Sequence, residues 1–299
     1  MTYSEIWHRI ATSYDDGEAR AIARILIEEL FGLSYTDIVC GATEQLSADD
    51  TLRLDTAVRR IEQGEPLQHV LGYADFCGNR FCVNGSVLIP RPETEWLVDE
   101  GAKLMSGCIA SDEMQHKAPH SPKRILDIGT GSGCIAISLK LRLGDAYVEA
   151  WDISEEALRT AQDNADALKA EVVFRKRDAL RADNTAAPWD LIVSNPPYIC
   201  DSERSAMDDN VLLHEPHTAL FVPDDDPLRF YRAIARYALL TLNIGGNLLF
   251  ECNTRYAEAT GKMLSDMGFE EVTVSDDCFN LPRFVRGSSP SQPSPSGRA

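Results

Sequence analysis

The sequence predicts an α/β protein: a doubly wound, parallel sheet preceded by a small helical bundle. Three observations lead there. Between residues 124 and 285, short apolar runs alternate with longer amphipathic stretches, the pattern of strands covered by helices on both faces. A glycine-rich loop, Gly129-Thr130-Gly131-Ser132-Gly133, leaves the first of those strands and enters a helix. Residues 1–64, by contrast, carry a helical apolar period.

Glu18 to Phe31 reads as a helix ended by Gly32. A second helix starts at the N-cap Ser47, places Leu54, Ala57, Val58 and Ile61 on one face at i, i+3, i+4 and i+7, and stops at Gly64. Tyr73–Cys77 and Arg80–Asn84 read as two short strands around a two-residue turn, Gly78-Asn79. In Val87-Leu88-Ile89-Pro90-Arg91-Pro92-Glu93 the two prolines hold the chain extended, and a helix from Glu93 to about Met105 follows. Ser106 to Lys123 is polar and reads as an exposed loop. Strands are then expected at 124–128, 147–152, 172–177, 191–194 and 247–252, with short ones near 271–274 and 284–285. The helices between them are Cys134–Leu143, one opening at Ser154, Asp226–Leu242 and Tyr256–Met267. The expected organisation is a helical domain at 1–72, a hairpin connector at 73–92, an α/β domain at 93–286 and a disordered Ser/Pro/Gly-rich tail at 287–299.

The composition narrows the function. The chain has 299 residues, 44% hydrophobic and 25% charged, with mean hydropathy -0.22, enough for a sizeable core. No apolar run approaches the ~18 residues of a membrane span, so no membrane partner is expected. Met1-Thr2-Tyr3-Ser4-Glu5-Ile6 lacks the basic-then-apolar order of a secretory leader, and a cytoplasmic protein is expected. The net charge of -18 repels a phosphate backbone at long range and weighs against a nucleic-acid enzyme. The eight cysteines form no C-x-x-C pair, which argues against a zinc site or a disulfide framework and for reduced thiols; no metal is expected.

The glycine loop lets the backbone approach a ligand where a Cβ would clash. The second strand ends in Asp152, placed to take both hydroxyls of a ribose, and the third is followed by Asp178, within reach of an adenine edge. A dinucleotide site has G-x-G-x-x-G, whereas this loop is G-x-G-x-G. The constellation resembles the S-adenosylmethionine site of class I methyltransferases. The fourth strand runs into Asn195-Pro196-Pro197-Tyr198. Two prolines stiffen this loop and remove two N–H donors, leaving a rim of acceptors in the Asn195 side-chain oxygen and the Pro196 carbonyl, with Tyr198 as a flat face. Such a rim suits a planar NH2 group. Two acceptors on its N–H bonds turn the delocalised lone pair toward an incoming methyl, so catalysis is mainly orientation.

Asn195-Pro196-Pro197-Tyr198 is similar to the signature of methyltransferases that act on planar amino groups. With Glu65-Pro66-Leu67-Gln68-His69-Val70-Leu71-Gly72 and Val87 to Glu95, the chain resembles the peptide chain release factor N5-glutamine methyltransferase family over roughly residues 1–287. The resemblance implies a Rossmann-like, mostly parallel seven-stranded sheet and methyl transfer from S-adenosylmethionine to the glutamine of the Gly-Gly-Gln motif of release factors. It places the methionine and nucleoside parts of the cofactor along Gly129, Thr130, Gly131, Ser132 and Gly133 and the ribose on Asp152. Asp178 and Ala179 fall beside the adenine, and Asn195 also touches the cofactor. Asn195, Pro196, Pro197 and Tyr198 surround the glutamine amide, with Asn195, Pro196 and Tyr198 as the catalytic set. Arg91 lies at the pocket mouth as a substrate contact, and the helical domain binds the release factor to a monomeric enzyme.

Other readings of the same residues are a ribosomal-protein glutamine methyltransferase, an adenine-N6 nucleic-acid methyltransferase, and a nucleoside-binding module without catalysis. The family usually has glycine where Pro227 stands and Glu-Ile-Gly where the chain has Glu251-Cys252-Asn253. His116 and His120 in the polar loop, and Asp224, Asp225 and Asp226, are read as solvated groups, and Cys134 as packing.

Overall fold

The computed structural model describes residues 1–110, 122–182 and 188–291. The chain divides into two compact units. The first comprises Met1–Tyr73, Val83–Gly85 and Ala206–Glu215, and the second comprises Ala74–Cys82, Ser86–Ser205 and Pro216–Ala299. The segment expected as a separate connector is thus shared between the two. A short stretch near residue 210, which sequence order assigns to the α/β domain, belongs with the helices.

The first unit is helical. Helix α1 (Tyr3–Ile10) starts at a capping box in which Thr2 accepts from the Glu5 amide and Glu5 accepts from the Thr2 amide. Helix α2 (Asp16–Phe31) is capped by Asp15 and ended by Gly32 at φ 66°, a left-handed value that favours glycine. Helices α3 (Tyr35–Val39), α4 (Ala48–Glu62) and α5 (Leu67–Leu71) follow. Ser47 caps α4 as its position predicts, and Leu54, Ala57, Val58 and Ile61 are all buried, packed with Ile6, Ile10, Leu26 and Ile27. Each buried Leu, Ile or Val among them contributes about 1.5–3 kcal/mol.

Strands β1 (Tyr73–Phe76) and β2 (Asn79–Cys82) pair as a hairpin. Its turn is Cys77-Gly78, one residue earlier than expected. Both residues have positive φ, 49° and 75°, the geometry of a type I′ turn that matches the twist of paired strands. Pro92–Thr94 makes a single 3-10 turn before α6 (Glu95–Ala110). That helix continues past Met105, so Ser106 and Gly107 are exposed helix positions rather than the start of a loop. Residues 111–121, with His116 and His120, lie outside the described residues.

The second unit is built on β3 (Arg124–Ile128), α7 (Cys134–Leu143), β4 (Tyr147–Asp152), α8 (Glu155–Leu168), β5 (Val172–Lys176) and β6 (Trp189–Ser194). After the tetrapeptide come β7 (Ile199–Cys200), α9 (Asp209–His214), which belongs to the first unit, α10 (His217–Leu220) and β8 (Phe221–Val222). Helix α11 (Arg229–Thr241), β9 (Leu242–Glu251), α12 (Ala257–Met267), β10 (Glu270–Asp276) and β11 (Pro282–Ser288) complete the order.

Among the described residues the sheet has seven strands in the order β10-β11-β9-β6-β3-β4-β5. Only β11 runs against the rest. Alternate side chains feed two cores. Leu191, Val193 and Leu249 pack with α6 and α7, while Ile192, Leu248 and Phe250 pack with α11 and α12. The chain switches sides of the sheet between β3–β5 and β6, and ligands bind at such a reversal.

Three boundaries differ from expectation for local reasons. Helix α11 starts at Arg229, not Asp226, because Pro227 occupies the second position of a type I turn: Arg229 N–H donates to the Asp226 carbonyl at 3.2 Å and Leu228 sits at φ −96°, ψ 10°. Strand β9 begins earlier because Gly245-Gly246 forms an irregularity in its pairing with β6 rather than a turn. Strand β11 runs to Ser288, and Ser289 exchanges backbone hydrogen bonds with Gly245 and Gly246, so the final strand outlasts the expected limit at residue 286. The expected tail beyond residue 291 lies outside the described residues. No helix among the described residues is long and apolar enough to cross a membrane, and no group of three metal-ligating side chains occurs.

Arg9 joins α1 to α4. It donates both arms of its fork to Glu62 at 2.7 Å and a further N–H to Asp55 at 2.8 Å. These bonds hold both carboxylates below their usual range. A carboxylate held low stabilises the fold above its unfolded pKa and loses that contribution as pH falls through the folded value. Arg9→Met should speed amide exchange in α1 and α4 several-fold at pH 7, the modest scale expected of partly exposed ion pairs. The difference from the parent should shrink as pH falls below the usual carboxylate range and through the lowered pKa values of Asp55 and Glu62; a difference that does not change with pH would contradict this role for Arg9.

Candidate active site

The carboxyl ends of β3, β4, β5 and β6 open on a cavity of about 350 Å³. That lies at the small end of the usual range for ligand sites. Its wall includes Gly129 and Gly131 from the first loop, Asp152 and Ile153 after β4, Asp178, Ala179 and Leu180 after β5, and Asn195, Pro196 and Pro197 after β6. Ser86, Val87 and Leu88 close one side, and Phe230 and Ile234 of α11 another. Of the residues singled out in the sequence, these strand ends bring together Gly129, Gly131, Asp152, Asp178, Ala179, Asn195, Pro196 and Pro197.

Thr130, Ser132, Gly133, Tyr198 and Arg91 do not line the cavity. Thr130 is buried beneath the loop and donates its hydroxyl to Asp127 at 2.7 Å. Gly133 has φ 82°, and a Cβ there would lie 2.9 Å from Ile137 Cδ1 and 3.1 Å from Ala161 Cβ. Its glycine is required by the packing of α7 on α8. At Gly131 a Cβ would meet nothing within 4 Å, so that residue borders open space, a cradle for a ligand.

The amides of the loop separate two ligand classes. Gly129 and Thr130 both donate to the Trp151 carbonyl, Gly133 donates to Thr130, and Gly131 donates to Asp152 Oδ2 at 2.9 Å. A pyrophosphate cradle needs free amides aimed at the anion. Here a carboxylate already occupies the Gly131 amide, and its charge would repel phosphate. The acids instead suit a cationic nucleoside. Burial raises the Asp152 carboxyl, opposed by the amides of Ser154 and Gly131. Behind it, wholly buried Asp127 is pushed up to about 7 by desolvation, with Asp152 adding to the shift. Asp178 accepts from the Leu180 amide at 2.9 Å, which holds Ala179 and Leu180 against the cavity. With Ile153 and Phe230 they form an apolar slot of the kind a flat base fills.

The tetrapeptide leaves β6 under tight control. Ser194 donates its hydroxyl to the Ile128 carbonyl at 2.6 Å, and β7 pairs Ile199 with Phe221 directly after Tyr198. Asn195 Nδ2 faces the hydroxyl of Thr94 at 3.4 Å. Tyr198 lies behind the rim, its hydroxyl 3.5 Å from Glu251 Oε1 and its ring packed on the core beneath α11. Burial raises its phenol far above neutrality, so it stays protonated.

Several residues of the site carried no recognised role in the sequence. Ile153, Leu180 and Phe230 are ordinary apolar residues whose place in the cavity depends on loop direction. Asn164 bridges Ser132 and Cys82 from inside α8, at 2.6–3.0 Å, and no local pattern marks it. Glu251 was visible as an acid ending an apolar strand, which is the one signal that could have found it. The departures from the family pattern are absorbed. Asn253 Nδ2 reaches the Tyr198 carbonyl at 3.4 Å, and Pro227 fits its turn. Asp224 accepts from Ser202 and Asp226 pairs with Arg232, as expected of solvated loop acids rather than metal ligands.

Residues 8–72 match the family described as PrmC N-terminal domain, and residues 95–220 match the methyltransferase small domain. A release factor glutamine methyltransferase of Bacteroides thetaiotaomicron is 43% identical over 273 residues, covering 91% of this chain and 93% of that protein. Its counterpart in Flavobacterium psychrophilum is 36% identical, covering 93% and 94%. Among solved structures, the catalytic domain of hMettl16, in complex with MAT2A 3'UTR hairpin 6, superposes with a TM-score of 0.50 at 17% identity, covering 82% of this chain and 83% of that one. At that identity it shows the shared fold alone. The two family matches and the full-length relatives together place this chain in the release factor glutamine methyltransferase family.

Proposed function

We propose that the protein transfers a methyl group from S-adenosylmethionine to the side-chain N5 of the glutamine in the Gly-Gly-Gln motif of peptide chain release factors. The observation that carries the reading is an acceptor rim, Asn195 to Pro197, opening on the same cavity as Gly131 and Asp152, in a chain of this family. When bound, the cofactor supplies a methyl carried on a sulfonium.

The chain's own residues supply position. Asp152, steadied by the Gly131 and Ser154 amides, keeps lone pairs for the ribose hydroxyls. Asp178 and Ala179 hold the adenine edge, with Ile153, Leu180 and Phe230 excluding water from its faces. Asn195 Oδ1 and the Pro196 carbonyl accept the two N–H bonds of the glutamine amide. That grip turns the nitrogen lone pair out of conjugation and toward the methyl. No strong base is needed before transfer, because the methylated nitrogen is cationic and its proton acidic. Tyr198, fixed behind the rim, supports it without taking the proton. The helical unit is the surface we assign to release factor binding, and a monomer in the cytoplasm is the working form.

Incubation with labelled S-adenosylmethionine and purified release factor should label one glutamine; label on ribosomal protein or on DNA, with none on the release factor, would overturn the substrate. Asn195→Ala should keep cofactor affinity and lose about a hundredfold in turnover, the scale set by misplacing a reacting group. Loss of cofactor binding with normal single-turnover chemistry would remove Asn195 from the acceptor role. Asp152→Ala should weaken cofactor binding by about 1–3 kcal/mol in calorimetry, as for a lost charge-assisted hydrogen bond; unchanged affinity would refute the ribose contact.

A further inference from the structure

Behind the rim, outside the cavity, Glu251 ends β9 and is wholly buried. Its Oε2 accepts the hydroxyl proton of Thr94 at 2.6 Å, and Thr94 is itself buried. Oε1 faces the Tyr198 hydroxyl at 3.5 Å. The Thr94 oxygen in turn lies 3.4 Å from Asn195 Nδ2. One buried carboxylate therefore stands against two members of the tetrapeptide: Asn195, which it meets chiefly through Thr94, and Tyr198, whose hydroxyl it faces. We propose that Thr94 and Glu251 are positioning residues for methyl transfer, which fix the Asn195 carboxamide with its oxygen toward the substrate amide. The inference rests on the glutamine-methylation reading and deepens it.

The physical reason is directional. A carboxamide turned by 180° keeps its shape but exchanges an acceptor for a donor. An inverted Asn195 would offer N–H to the glutamine N–H and repel it. What sets the direction is a neighbour with one proton already committed. Because the Thr94 hydroxyl gives its proton to an ionised carboxylate, its oxygen is left to accept, and Asn195 must present NH2 to it. Oδ1 is then left for substrate. If Glu251 takes up a proton, its hydroxyl can donate to Thr94, Thr94 can donate to Asn195, and the amide is drawn into the inverted direction.

The surroundings put that change near neutrality. Burial pushes Glu251 up to about 7, Glu93 adds to the shift, and Thr94, Arg283 and Asn195 oppose it. Arg283 is held beside it by Asp277 at 2.7 Å, while Tyr198 and Cys252, both raised by burial, stay protonated there. A carboxyl that must be ionised to act makes turnover fall as pH drops through its pKa.

The test uses the full chain with release factor as substrate. Thr94→Val keeps the side-chain shape and removes the hydroxyl. Its kcat should fall about tenfold or more, with S-adenosylmethionine affinity by calorimetry within about twofold of the parent. Thr94→Ser should recover most of that loss. The parent's kcat should decline below about pH 7, and Glu251→Gln should lack that acid limb. Parental kcat in Thr94→Val, equal impairment in Thr94→Ser, or cofactor affinity falling in step with kcat would each overturn the proposal. So would an acid limb unchanged in Glu251→Gln. A second readout is independent of substrate: the side-chain amide signals of Asn195, assigned by their loss in Asn195→Asp, should move in Thr94→Val. If they move while the parent leaves release factor unlabelled, the substrate reading fails and the relay stands; if they stay while the parent is active, the relay fails alone.

Discussion

Ile128 is paired in register with Trp151 on one side and with Ser194 on the other. Gly129, Asp152 and Asn195, the residues that follow, consequently stand at one level, Gly129 and Asn195 just past their strands and Asp152 as the last residue of β4. Parallel pairing makes this possible, because all three strands point the same way and their loops emerge on one edge. A shift of register by one residue would bury the acid or turn the tetrapeptide onto the other face. The Ser194 hydroxyl on the Ile128 carbonyl and the Gly129 and Thr130 amides on the Trp151 carbonyl hold that level. Loop chemistry, cofactor choice and rim position all descend from it.

Charge does the next part of the work. Asp127, Asp152 and Glu251 are acids in or behind the site, all raised by burial. Keeping such groups out of water costs stability, and a structural role would be served more cheaply by apolar residues. Their placement follows the site: Asp152 stands on the cavity wall, Asp127 is buried beneath the glycine loop against Thr130, and Glu251 is buried behind the rim against Thr94. In the glycine loop the Gly129, Thr130, Gly131 and Gly133 amides are committed to protein acceptors, which withholds them from a phosphate.

The departures from the family pattern show how much local freedom the arrangement tolerates. Pro227 is at a turn position where its fixed φ is favourable, so it shortens α11 by three residues at its start and leaves Phe230 and Ile234 on the cavity. Asn253 adds a hydrogen bond to the Tyr198 carbonyl. Neither changes what the rim can accept.

Much of the fold was legible because its signals are local. Strand and helix alternation, the caps Ser47 and Ser154, and the stops at Gly32 and Gly64 depend on neighbours within a turn or two. The glycine loop, the acids after β4 and β5 and the two prolines after β6 were legible for the same reason: backbone freedom, charge and rigidity are properties of the residues themselves. The expected strand start at residue 247 and loop start at Ser106 misled because sheet pairing carries β9 through Gly245-Gly246 and because Ser106-Gly107 sit on a solvent-facing helix side. What tertiary structure alone decided is which groups meet. Gly133 serves helix packing and Gly131 the cavity, though they look alike in sequence. Thr94 and Glu251, separated by 157 positions, share a hydrogen bond only because β9 lies beside β6 and the Pro92–Thr94 turn comes up to its end. Sequence determines what each residue can do locally; burial and distance, which select among those capacities, exist only once the chain has closed on itself.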